Sequence, residues 1–289
     1  MLSPGIKTVS FAGLGLIGTS LMQALKRAAA STGSSIETIG YDPGFSNDDI
    51  AAITASGGLD RFVSDPVRLY DADVIVLCAP VLANIALLDQ VRQNAPAGAL
   101  VTDVSSTKTR IAARARELGI EFIGMHPIAG REQQGYRAAS PELLSGRLMI
   151  FCSGTALPET GRAAELVEML RAAGCTPVFM TPEEHDRIYA NISHLPQLIS
   201  IALMNHCRDN IDRSGPGFAS LTRLAGSAWP IWQDILATNS GNIADELDDF
   251  SALMACLARD VRANNLESVE SMFIEANHLY QRLQGGARQ

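Results

Sequence analysis

An open α/β sheet domain over residues 1–181, followed by an all-helical domain over residues 182–289, is the fold class that this sequence predicts. Short Val/Ile-rich runs alternate with helix-forming stretches through the first 180 residues, the pattern that builds a parallel sheet covered by helices on both faces. After Pro182 the strand-like runs stop and apolar residues recur at helical spacing. A chain of 289 residues holds two domains of ordinary size, and 47% apolar against 19% charged residues supplies a core for each.

Taken in order, residues 8–12 (TVSFA) read as the first strand, and GLGLIG leads from it into a helix of good formers over 17–30. A second strand over 36–41 ends at Asp42, and a helix follows over 48–56. Strands at 74–78, 99–103 and 122–125 alternate with helices at 82–94 and 108–118. Strands at 148–152 and 177–180 flank a helix over 159–173, which Thr155 and Pro158 precede and Gly174 closes. Beyond that point, residues 183–208 read as one long helix, kinked at Pro196 because proline lacks the N–H that the helical ladder needs. Residues 210–218, with Gly215, Pro216 and Gly217, read as a loop, and 219–237 as a helix. Two further apolar-periodic stretches lie between Ile243 and Leu283, with acidic residues on one face and Leu, Met, Phe and Val on the other. The final GGARQ is expected to fray.

Bulk properties exclude several classes. The formal charge of -8 repels a phosphate backbone, so nucleic acid is not an expected partner. Five cysteines, odd in number and without a C-x-x-C, read as buried thiols of a reducing compartment and offer no metal-ligand spacing, so no metal is expected. The longest apolar run, residues 74–83, contains Pro80 and is far short of the ~20 residues of a spanning helix. With no leader-like segment at the start, a cytoplasmic protein is expected.

The chemistry begins at the first turn. Gly13, Gly15 and Gly18 form G-x-G-x-x-G between a strand and a helix: the first glycine permits the tight turn, the second lets a pyrophosphate approach the backbone, and the third lets helix pack on strand. The helix N-terminus then offers unpaired N–H groups and a positive dipole end. Asp42, 24 positions after Gly18, can accept hydrogen bonds from an adenosine ribose, and its charge repels a 2′-phosphate. A glycine turn by itself can be ligand-free; strand, helix and acid together point to a Rossmann-type domain binding NAD, with a flavin as the alternative ligand. The cofactor set expected here is Gly13, Gly15, Leu16, Ile17, Gly18, Asp42 and Ser105.

Two further strand ends carry polar residues. VTDVSSTK places small hydroxyls, including Ser106, before the helix that starts near Lys108, and FIGMHPIAGRE locks His126 between an apolar strand and Pro127. Taken singly, Ser106 reads as a turn or cap residue and His126 as a buried histidine satisfied by backbone. Adjacent strand ends in a parallel sheet face the same crevice, which favours a functional reading of both.

The run GLGLIG with Asp42, then DVSSTK, GMHPIAGRE, ISHLPQ and LTRLAGSAWPIW, resembles the prephenate and arogenate (cyclohexadienyl) dehydrogenases of tyrosine biosynthesis, in order and spacing, over residues 8 to about 235. Arg131 and Ser105 depart from the family's usual smaller residue and glycine. The resemblance implies NAD-dependent oxidative decarboxylation of prephenate to 4-hydroxyphenylpyruvate, or of arogenate to tyrosine. It implies His126 as the group that takes the ring hydroxyl proton, with Ser106 bridging histidine, substrate and nicotinamide. It places His194 against the substrate side chain, Arg223 on the ring carboxylate, Trp232 in the pocket wall and Glu132 as a partner of Arg223. Gln197, three residues after His194 and on the same helical face, is neutral, which favours prephenate or dual use over the ammonium of arogenate. The resemblance also implies a homodimer through the C-terminal helices.

Two alternatives share part of this pattern. A β-hydroxyacid dehydrogenase or imine reductase would keep the fold, but those enzymes usually use a lysine or other acid in the second domain, and residues 182–240 contain no lysine. A non-catalytic NAD(H)-sensing regulator would lack a converging His, Ser and Arg set.

Overall fold

The computed structural model describes residues 5–131, 133–153 and 160–286. Its first part is an eight-stranded sheet in the order β3-β2-β1-β4-β5-β6-β7-β8. The strands are β1 Thr8–Ala12, β2 Glu37–Tyr41, β3 Arg61–Phe62, β4 Val74–Leu77, β5 Leu100–Asp103, β6 Phe122–Pro127, β7 Leu148–Cys152 and β8 Thr176–Met180. Helices α1 Leu16–Ser31, α2 Asn47–Ala55, α3 Val81–Asn94, α4 Thr109–Glu117 and α5 Gly161–Ala172 connect them. Every expected strand is present, and β3 is added: two residues paired to Ile39 and Gly40 at the sheet edge, too short to leave a periodicity. The expected start signals Thr155 and Pro158 lie outside the described residues, while Gly174, at φ +89°, follows the end of α5 in the left-handed conformation that closes a helix.

The parallel sheet predicted from strand-helix alternation needs one correction: β7 runs antiparallel to β6. The described residues of 128–147 contain only short 3-10 turns and no crossover helix, and the chain returns beside β6 in the opposite direction. Strand β4 sits in the middle of the Rossmann half. Val74 and Val76 pack into the hydrophobic cluster on one face, Ile75 and Leu77 into that on the other. A strand buried on both faces is apolar at every position, which is why VIVL lacks alternation. The chain leaves β1 toward β2 and β3 and returns to β4, so the ends of β1 and β4 flank a topological switch point where ligand crevices open.

The second part contains α6 Pro182–Tyr189, α7 Leu195–His206, α8 Pro216–Leu221, α9 Trp229–Thr238, α10 Ser240–Arg262 and α11 Leu266–Gly286. Thr181 caps α6 in a reciprocal box with Glu184, with Pro182 in the first turn, where its missing N–H costs nothing. The long helix expected over 183–208 is interrupted by a π turn, Ala190–His194, immediately before Pro196. Pro196 has no N–H for the Ile192 carbonyl, and the ladder widens there rather than merely bending. The expected 219–237 helix is likewise two helices and a 3-10 turn, Arg223–Gly226, because Pro230 fits only a first helical turn and restarts the chain as α9. Nor is 210–218 simply a loop: Arg208–Arg213 forms a 3-10 turn, and Pro216 opens α8.

The hairpin of α10 and α11 turns at Asn264, a non-glycine residue at φ +54°. Ile243 is the one buried residue of α10, whereas Leu253, Met254, Val261, Phe273, Leu279 and Leu283 are exposed. The cysteines are free, but the expectation of buried thiols holds fully only for Cys152 and Cys175; Cys78 and Cys207 are half-buried, and Cys256 is exposed on this hairpin. No helix among the described residues is long and apolar enough to cross a membrane.

Candidate active site

A cleft of about 1160 Å³ opens at the switch point, between the sheet domain and the helices. Gly15, Leu16, Ile17 and Gly18 form one wall, Ser105 and Ser106 another, and Arg223 and Trp232 approach from the helical side. Eight residues expected at the site therefore line one space. Gly13 lies at the base of the turn, at φ +104°, with its N–H donated to the Tyr41 carbonyl at 2.8 Å. A Cβ on Gly13 would come 2.9 Å from the Cys78 carbonyl group, and one on Gly18 would come 2.4 Å from the Gly13 carbonyl oxygen. Nothing lies within 4 Å of a Cβ on Gly15, and α1 has no side-chain cap there. Open backbone and uncapped N–H groups are what a pyrophosphate needs. Asp42 stands at the end of β2 and accepts from Leu14 N–H and Gly44 N–H, each at 2.9 Å, which fixes the carboxylate beside the turn. The residues present thus fit a dinucleotide.

Gly18→Ala is expected to destabilise the protein by about 1–3 kcal/mol, because the clash is with backbone that cannot move aside. Thermal unfolding with and without NAD+ checks this; the NAD+-dependent rise in Tm should disappear, and a rise equal to that of the wild type would refute the role of the turn.

Ser105 and Ser106 differ in their surroundings. Ser105 accepts a 2.9 Å bond from the Asn84 amide and donates its N–H to Asp103. The Ser106 hydroxyl has no partner among the described residues, so it can serve a ligand in the cleft. Behind this turn Lys108, fully buried, donates to Asp103 at 2.5 Å and to the Met125 carbonyl at 2.7 Å. Gly124 makes room for it, since a Cβ there would lie 2.9 Å from the Lys108 Cδ.

His126, on β6, is half-buried and is not among the cleft-lining residues. Its Nδ1 lies 2.9 Å from Nε2 of His185, and its ring meets Tyr189 edge-on at 5.1 Å. Burial, followed by the neighbouring His185, Lys108 and His194, holds the His126 pKa well below the ordinary histidine range. His194 is buried as well: its Nδ1 is 3.3 Å from the Asn239 amide and its ring lies edge-on to Trp232, and burial pushes its pKa down to about 4. Expectations for His194 and Gln197 as substrate contacts are therefore not met by the cleft wall. Gln197 is indeed on the buried face with His194, but its amide donates to the Leu224 carbonyl and accepts from Ser227, fixing the turn that carries Arg223. Glu132 lies outside the described residues. Arg223 is exposed and has no ion-pair partner among the described residues.

Several residues that the sequence reading passed over tie the two parts together at this cleft. Asp186 accepts from the N–H groups of Lys108 and Thr109, capping α4 from another helix, and Asp234 does the same for Leu82 at the start of α3. The Thr107 and Thr238 hydroxyls meet at 2.7 Å. A signal for the first of these was present: Pro182, His185, Asp186 and Tyr189, at i, i+3, i+4 and i+7, form the buried face of α6, and two of them are polar.

Known proteins place this architecture. Residues 25–176 match the model described as prephenate dehydrogenase, nucleotide-binding domain, and residues 181–275 that described as prephenate dehydrogenase, dimerization domain. Prephenate dehydrogenase of Bacillus subtilis is 30% identical over 257 residues, 84% of this chain and 67% of that one. Cyclohexadienyl dehydrogenase of Zymomonas mobilis is 28% identical, covering 85% of each. Among solved structures, arogenate dehydrogenase of Synechocystis is 26% identical with a TM-score of 0.81, covering 95% of this chain and 99% of that one. Prephenate dehydrogenase of Aquifex aeolicus, solved with hydroxyphenyl propionate and NAD+, is 24% identical with a TM-score of 0.85, covering 97% and 99%. With both of its halves matched in order, the chain belongs to the prephenate dehydrogenase family.

Proposed function

We propose that this chain catalyses the NAD-dependent oxidative decarboxylation of prephenate to 4-hydroxyphenylpyruvate in tyrosine biosynthesis, with arogenate, giving tyrosine, as a second substrate of the same site. The observation that carries this reading is the shared cleft: the glycine turn and Ser106 come from one domain, a guanidinium with no ion-pair partner among the described residues from the other, and an imidazole stands on the next strand. Residues 1–181 bind the nucleotide, and residues 182–289 supply the substrate side and the dimer contact. Gly13, Gly15, Leu16, Ile17, Gly18, Ser105 and Asp42 would hold NAD+, which supplies the hydride acceptor.

The remaining chemistry belongs to side chains. Oxidation at the ring carbon bearing the hydroxyl requires that its O–H proton be removed, and loss of carbon dioxide from the opposite carbon leaves an aromatic ring, which provides the driving force. His126, held neutral, accepts that proton, and Ser106 orients the hydroxyl. Arg223 binds the ring carboxylate through its planar fork, and Trp232 closes the wall beside it. A lysine at position 223 keeps the charge and loses the fork. Arg223→Lys is therefore expected to raise KM for prephenate about 10- to 100-fold with a smaller change in kcat, read from initial rates; an unchanged KM would remove Arg223 from the substrate site.

Because Gln197 is occupied inside the helical domain, it no longer argues for one substrate over the other. NADH formation from prephenate, repeated with arogenate and with NADP+, tests the assignment; no turnover of either substrate would overturn it. A homodimer through α10 and α11 accounts for their exposed apolar face. A small-molecule enzyme of this kind, with free thiols, belongs in the cytoplasm and has no use for nucleic acid.

A further inference from the structure

We infer that His185 is a positioning residue for the reaction: with Asp186 it fixes the tautomer of His126 so that Nε2 of His126 presents a bare lone pair to the substrate. The inference rests on the reading of His126 as the proton acceptor, and the hydrogen-bond chain itself carries it.

The direction of that chain follows from its far end. The carboxylate of Asp186 accepts from the N–H groups of Lys108 at 2.7 Å and Thr109 at 2.8 Å, at the positive end of α4. Burial alone would raise its pKa, but these bonds and that from His185 hold it below the usual carboxylate range. An ionised carboxylate can only accept. Nδ1 of His185, 2.9 Å from Asp186 Oδ1, therefore carries the proton of that bond. His185 is fully buried and neutral, since burial and the Lys108 ammonium outweigh the pull of Asp186. A neutral imidazole with a proton on Nδ1 has a bare Nε2, which can only accept. Nδ1 of His126, 2.9 Å away, must donate to it, and the second nitrogen of His126 is left without a proton. That nitrogen has no partner among the described residues.

The surroundings keep both rings in this arrangement. Tyr189 stacks on His185 at 4.5 Å and meets His126 edge-on. The charged and titratable groups facing the pair are Lys108 from the turn before α4, Asp103 from β5, Asp186 and Tyr189 from α6 and His194 from the π turn. A proton added to His185 would put hydrogens on both of its nitrogens and reverse the bond, so that Nδ1 of His126 accepts and its Nε2 carries the proton. His126 would then be unable to act as a base. The polar chain thus controls which nitrogen is protonated without any of its outer members touching the substrate.

The test uses full-length protein with NAD+ bound and 15N-labelled histidine. Long-range 1H–15N correlation spectra distinguish the two tautomers; the wild type is expected to show His126 protonated on Nδ1. In His185→Phe, which keeps the aromatic packing and removes both nitrogens, that signature should be lost and kcat for prephenate should fall on the order of 10- to 100-fold with little change in KM. His185→Gln, whose amide can donate to Asp186 and accept from His126, should restore most of both. A wild-type His126 protonated on Nε2, or a His185→Phe spectrum and kcat equal to those of the wild type, would overturn the inference. Because the tautomer is read without turnover, a protein that shows the expected spectrum but oxidises no prephenate separates failure of the proposed reaction from failure of the relay.

Discussion

His126→Asn is expected to lower kcat about 10²- to 10⁴-fold, the range a positioned general base contributes, while KM for prephenate changes little. Asparagine keeps a polar group near the same place and can still meet His185, so the loss would report the missing proton acceptor rather than a collapsed site. The imidazole is suited to the task by its surroundings: burial, with His185, Lys108 and His194 nearby, opposes a positive charge on it. The sign follows directly. A histidine whose folded pKa lies below 6.5 stays neutral, and able to accept, as pH falls through the range where an ordinary histidine charges. Wild-type kcat should therefore hold through pH 6.5 and decline only on further acidification, where the variant's residual rate should show no matching step. A variant within tenfold of the wild type at neutral pH would remove His126 from the chemistry.

The same residue shows what a sequence conveys and what it withholds. The strand-end position of His126 was legible because a polar residue between an apolar strand and a proline sits at the end of that strand. The glycine turn was legible for a stricter reason: at Gly13 and Gly18 any Cβ meets backbone, so the fold leaves no choice of residue. Helical spacing could mark His185 only as a polar residue on the buried face of its helix; that it meets His126, 59 positions away, is set by tertiary packing. Gln197 marks a related limit. Helical spacing correctly put it on one face with His194, but spacing gives only relative phase; that this face meets the turn at Leu224 and Ser227, and not the cleft, depends on tertiary packing. The antiparallel course of β7 was hidden similarly, because strand direction is set by the connection and not by the strand's own residues.

Lys108→Met is expected to cost about 3–5 kcal/mol of stability, the loss seen when one partner of a buried ion pair is removed. Methionine closely matches the aliphatic stem that passes over Gly124, so the cost should not come from a cavity. It should come from Asp103. That carboxylate is fully buried, one of its oxygens already lacks a partner, and without Lys108 the other keeps only the Ser105 N–H. A double-mutant cycle isolates this cause: Lys108→Met with Asp103→Asn removes the uncompensated charge and should be more stable than Lys108→Met alone, read as a urea midpoint that partly recovers at constant slope. The ammonium also holds the Met125 carbonyl, one residue before His126, and thereby joins the end of β5 to the end of β6. The single variant should consequently lose kcat even at temperatures where it remains folded, because the imidazole would no longer be anchored through its own backbone. If the double variant were no more stable than the single one, the cost would lie in packing, and the buried pair would not be what aligns the hydroxyl turn with the histidine strand.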